Sequence, residues 1–85
     1  MGYMETEMEL DDLIEVGVVF GRGMVWPQWL VWGRRRIKVI RVVLTYEGRA
    51  GDAPLLFFNL QGETASYQVV WNRKTNIWRL KGVAS

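Results

Sequence analysis

The stretch Arg34–Tyr46, RRRIKVIRVVLTY, breaks phase at its middle, and that break constrains the fold more than any other feature of the chain. Ile37 and Val39 share one parity, opposite Arg34, Arg36 and Lys38, whereas Ile40, Val42, Leu44 and Tyr46 lie on the other parity with Arg41 between them. Successive side chains of a strand point to opposite faces, so a flat strand would leave one apolar set in water. A β-bulge near Val39–Ile40 puts both sets on one core face and bends the strand, as a small curled sheet or barrel requires. The competing arrangement, a strand buried on both sides, would leave Arg41 in need of a buried partner.

The remaining segments repeat the period of two in short blocks separated by turn residues. In Leu13–Gly21, Ile14, Val16, Val18 and Phe20 alternate with Leu13, Glu15, Gly17 and Val19, which predicts a first strand with one buried face. Gly21-Arg22-Gly23 supplies a reversal. Met24–Trp26 is extended, Pro27 lacks a ladder N–H and marks a kink or an edge, and a short second strand follows over Trp29–Trp32. After the long third strand, Glu47–Ala53 reads as a loop closed by Pro54. The fourth strand places Leu56, Phe58 and Leu60 on one face and Leu55, Phe57 and Asn59 on the other, so it is either central in a closed structure or exposes Phe57 at an interface. The fifth turns Tyr67, Val69 and Trp71 one way. A hairpin loop, Asn72–Asn76, leads to the sixth, with Asn76 suited to a left-handed position and Trp78 and Leu80 facing inward. No segment carries a helical period. The prediction is an all-β fold: an antiparallel meander of five to six strands, residues 13–85, curled into a small barrel or strongly bent sheet and preceded by a flexible acidic arm, residues 1–12.

Charge is divided unevenly along the chain. Residues 1–21 carry six acids and no base, and residues 22–85 carry all eleven bases and three acids. Such a split points to a polyanionic partner for the body, with the acidic arm as a competitor for the same surface or simply as a solubilising tail. There is no cysteine, hence no disulfide and no sign of an oxidising compartment, and neither an export signal nor a membrane span is recognisable. Cytoplasm is the expected location.

Catalytic equipment is sparse. Histidine and cysteine are both absent, and beyond residue 21 the only side-chain carboxylates are Glu47, Asp52 and Glu63, all in expected turns. We therefore expect no enzymatic activity, no catalytic residue, no metal site and no cofactor. Basic residues interleaved with aromatics carry more information. Arg34, Arg36 and Lys38 share one strand face, Arg73 and Lys74 extend the strip if the last strand lies near the third, and Trp29 or Trp71 offers a π-face to an unpaired base. That combination predicts a non-enzymatic module for single-stranded DNA or RNA. The alternative is a protein partner or a homodimer meeting an apolar surface formed by Trp26, Leu55 and Phe57. Beside both stands the plain structural account, in which tryptophans such as Trp78 and Trp32 fill the core and edge arginines deter aggregation.

The order of motifs carries a resemblance. Pro27–Val42, PQWLVWGRRRIKVIRV, followed by Tyr67–Leu80, YQVVWNRKTNIWRL, resembles a small bacterial domain family of unknown function with a Trp-x-Gly-Arg strand turn, a Val-x-x-Val strand and a closing Thr-Gly-x-Trp-x-Leu hairpin. Two positions depart from it: Gly33 comes one residue early, and Asn76 stands where the family has glycine. The resemblance implies a stand-alone protein linked to DNA maintenance, because similar domains are sometimes found beside Y-family DNA polymerase-like modules. It transfers no catalytic residue.

Overall fold

The short turns dictate how this chain pairs with itself. In the computed structural model, which describes residues 7–85, seven strands follow one another: β1 (Glu7–Gly21), β2 (Met24–Trp32), β3 (Arg35–Lys38), β4 (Arg41–Ala50), β5 (Ala53–Gln61), β6 (Ser66–Asn72) and β7 (Ile77–Ala84). Arg22 and Gly23, both at positive φ (53° and 73°), join β1 to β2 in a turn whose twist matches that of its flanking strands. Gly33 (φ 62°) and Gly51 (φ 61°) each open a two-residue turn, β2–β3 and β4–β5. Asn76 takes the left-handed position expected of it, at φ 63°.

All pairings are antiparallel, and the strands lie in the order β3-β2-β1-β7-β6-β5-β4. The two outermost strands are thus consecutive in sequence. Between them, at Val39–Ile40, the chain changes partner: the Val39 N–H donates to the Gln28 carbonyl of β2 (3.0 Å) and the Ile40 N–H to the Gln61 carbonyl of β5 (2.7 Å). This corner is the phase break seen in the sequence. It curls the sheet into a half-barrel, closed at the corner and open beyond it, where Met24–Pro27 pair only with β1 and β4 pairs only with β5. The long third strand expected from the sequence is therefore two strands, which accounts for seven rather than five to six.

Three other boundaries are corrected. Residues 1–6 of the expected arm lie outside the described residues, but Glu7–Asp12 belong to β1 and pair with β7 from Glu7↔Ala84 to Asp12↔Leu80, so the boundary at Leu13 falls inside a strand. Met8 and Leu10 alternate with Glu9 and Asp11, a strand period that the acidic composition disguises. Strand β2 runs through Pro27, because a bulge at Gln28 absorbs the proline on a stretch with a partner on one side only. Glu47–Ala50 continue β4 instead of forming a loop. Gly48 is needed there, since a Cβ at that position would stand 2.8 Å from the Phe57 ring.

The inner face holds the core. Leu30, Phe58, Leu60 and Leu80 are fully buried, with Ile14, Ile37, Tyr67 and Val69 around them. Trp32 and Trp78 pack against this cluster, half-buried. From Phe58 a run of aromatic rings climbs to the open end: Phe58 on Trp78 (5.5 Å between centroids), Trp78 parallel to Trp71 (5.4 Å), and Phe20 tilted against Trp71 (6.3 Å). The Trp71 ring is tied down by Asn76, whose side-chain oxygen accepts from the Trp71 indole N–H at 2.8 Å. Asn76→Ala removes that acceptor and places a Cβ residue without a local polar group at positive φ, at a combined expected cost of about 1–2 kcal/mol. Asn76→Gly keeps the backbone geometry and is expected to lose less than half as much in a thermal melt.

Candidate nucleic-acid interface

Strand β3 presents its side chains according to its register with β2. Leu30↔Ile37 is an inward pair, so the flanking pairs Val31↔Arg36 and Trp29↔Lys38 point outward. On the other side of β2, Trp29 is opposite Gly17 of β1. A Cβ on Gly17 would fall 2.1 Å from the indole, so the ring lies directly on the β1 backbone. Above it stands the Arg36 guanidinium, 4.4 Å from the ring centroid. The glycine that leaves space for the ring and the arginine that covers it explain why Trp29 is not a free stacking platform. What it does instead is hold Arg36, through a cation–π contact, in a fixed outward position.

Arg34 occupies the β2–β3 turn and is exposed; Arg35 points inward over Trp32, 5.6 Å from its ring. Arg41 opens β4 just past the corner, paired with Gln61 and one step out of phase with the inward pair Val42↔Leu60, so it too faces out. The sequence does not single out Arg41, because the phase break hides which face it takes. Trp26, assigned above to an apolar interface, is the next outward aromatic along β2 beyond the bulge, paired with Val19 and 42% exposed. It is the aromatic that shares the outer face of β2 with Trp29.

Ion pairing among the described residues leaves this edge unneutralised, as it also leaves Arg22, Arg35, Arg49 and Arg73. Three ion pairs form among the described residues: Lys74–Asp52 (2.6 Å), Arg79–Asp11 (3.7 Å) and Lys81–Asp11 (3.2 Å). None involves Arg34, Arg36, Lys38 or Arg41. Among the described N-terminal acids, Asp11 offsets both bases of β7, and Asp12 accepts from the Trp32 indole N–H of β2 at 2.9 Å.

The other expected site residues lie elsewhere. Arg73 and Lys74 sit in the β6–β7 turn, with β1 and β2 between β7 and β3, although Gly33 of the β2–β3 turn and Asn76 line one shallow hollow. Lys74 is engaged by Asp52, and Arg73 stands 5.7 Å from the Trp71 ring. Trp71 is on the inner face, stacked on Trp78. The basic strip is therefore not continuous across the sheet, and Trp71 and Trp29 do not share a surface. The alternative apolar patch is also divided. Leu55 and Phe57 are on β5, with three strands between them and Trp26 on β2, and Phe57 is half-buried in a parallel stack with Tyr46 (4.9 Å).

Among the described residues, no group of three His, Cys, Asp or Glu is placed to hold a metal ion, and no helix is long and apolar enough to cross a membrane. No protein-family model, curated protein or solved structure matches the chain, so its surface has to be interpreted from its own geometry.

Proposed function

We propose that this domain binds single-stranded DNA or RNA without catalysis, along the outer face of β3, the corner and the start of β4. Arg34, Arg36, Lys38 and Arg41 take phosphates, and Trp26 stacks on a base. The observation that carries this reading is the set of four outward or turn cations on one edge, none of them in an ion pair among the described residues, beside an exposed indole. Such charges repel one another in the free protein, and a polyanion relieves that repulsion while releasing its own counterions. Arg36 is held over Trp29 before any ligand arrives, so less side-chain freedom is lost when it engages phosphate.

A second reading is a protein partner or a second copy docking on the outer face of β4 and β5. It rests on Leu44 (50% exposed) and Tyr46 (45% exposed), which adjoin Leu55 and Phe57.

Tryptophan fluorescence titrations with short DNA and RNA single strands distinguish the two. Four phosphate contacts give a salt slope of roughly −2.8, so the affinity is expected to fall about fiftyfold between 50 and 200 mM salt. Absence of a signal with either nucleic acid at low salt removes the single-strand reading. Concentration-dependent self-association that salt leaves unchanged would favour the second.

A further inference from the structure

The outer face of β4, β5, β6, β7 and β1 contains a hollow of about 310 Å³ that the phosphate-binding edge does not use. Three register shifts surround it. Val43 is the extra residue of β4 against β5, Lys81 is the extra residue of β7 against β6, and β1 slips against β7 between Glu9 and Asp12. Bulges bend strands and re-aim side chains, and these three adjoin one row of the sheet, Leu44–Asn59–Gln68–Gly82–Glu9. Gly82 is the floor of that row: a Cβ there would lie 3.3 Å from the Met8 carbonyl oxygen and 3.4 Å from the Gln68 side-chain oxygen. A larger residue would fill the space.

Beside this floor Asn59 and Gln68 are direct cross-strand partners. Among the described residues, neither carboxamide makes a hydrogen bond to another protein group. Each carries one acceptor oxygen and a two-donor nitrogen, so together they present adjacent donors and acceptors at the hollow. Carboxamides in this role make paired hydrogen bonds to the N6–H and N7 of adenine. Glu9, next in the row, and Lys81 line the same hollow.

The cationic edge leads to this hollow. Arg41 pairs with Gln61, Gln61 pairs with Ser66, and both Ser66 and Val43, two residues beyond Arg41, line it. A strand whose phosphates follow Arg36, Lys38 and Arg41 arrives at its rim. We propose that the hollow accepts one unstacked base of the bound strand, adenine being the best match, with Asn59 and Gln68 reading its edge. This inference rests on the single-strand reading above and adds base selectivity to it.

The test compares the full chain with an Asn59→Ala/Gln68→Ala variant, using oligo-dA, oligo-dC and oligo-dT of equal length and free adenosine monophosphate as probes. The wild-type chain is expected to prefer oligo-dA at least about fivefold, the lower bound for one good paired contact to a base. The variant should lose that preference while keeping its salt-dependent affinity for oligo-dT and its melting temperature. If all three oligomers bind the wild-type chain equally, or if the variant keeps the preference, the base pocket is overturned and single-strand binding stands. Adenosine monophosphate binding as tightly as oligo-dA would overturn the link to a strand. Failure of every oligomer to bind removes both proposals together.

Discussion

Truncating Phe58 to alanine is expected to lower the midpoint of urea unfolding by about 2–4 M, enough to leave much of the population unfolded at 37 °C. Phe58 is fully buried and stacks on Trp78 in the middle of the only core among the described residues. Loss of a buried phenyl ring costs about 3–5 kcal/mol in transfer energy and residual cavity. A domain of this size holds roughly 4–13 kcal/mol in total, and small domains bury too little surface to sit at the upper end. No disulfide makes up the difference. Phe20 is the matched control: it belongs to the same inner run of aromatic rings but is 66% exposed at the open end of the half-barrel, so Phe20→Ala should cost under about 1 kcal/mol. Equal midpoints for the two variants would mean that the closed end does not carry the stability.

The contrast between these two phenylalanines shows which parts of the fold were legible in the sequence. Leu56, Phe58 and Leu60 read correctly because period two is a property of the backbone, independent of what the strand pairs with. The Val39–Ile40 break is legible as a bend, but of its second apolar set only Val42 faces the core: the extra residue Val43 turns Leu44 and Tyr46 to the outer face, and Ile40 is exposed at the corner. Phe20 continues the parity of Ile14 and Val16, yet it is exposed because the sheet has no partner strand across the opening, and a local pattern carries no information about that. Pairing order was equally hidden. Arg73 and Arg79 are close to Lys38 only if β7 adjoins β3, and the chain places β1 and β2 between them. Trp29 failed as a platform because its environment depends on Gly17, twelve residues earlier, whose missing side chain receives the ring. At Glu7–Asp12 composition obscures pattern: an acidic run reads as a solvated tail, although alternating Met8 and Leu10 give it a strand period.

Replacing Arg34, Arg36 and Lys38 by glutamate is expected to weaken single-strand binding more than about 100-fold at 50 mM salt and to flatten the salt slope from roughly −2.8 to about −0.7, the share left to Arg41. Three attractive charges become repulsive, and formal net charge passes from +2 to −4. The fold should survive, because all three side chains are exposed and only Arg36 packs on anything, its contact with Trp29 being worth about 0.5–1 kcal/mol. Edge strand β3 keeps a charged outer row whichever sign it carries, so protection against edge pairing is retained. The informative control is Arg73→Glu/Lys74→Glu. These bases sit in the β6–β7 turn, with β1 and β2 between β7 and β3, and Lys74 is already matched by Asp52 in an exposed pair of little energetic value. Their reversal should change affinity by less than about threefold. The opposite ranking, with the turn variant inactive and the β3 variant unaffected, would move the binding surface to the β6–β7 hairpin and to the exposed aromatic end of the half-barrel, where Arg73 stands beside Trp71. The sequence alone treats the two sets of bases alike, and only the strand order makes one of them the stronger choice.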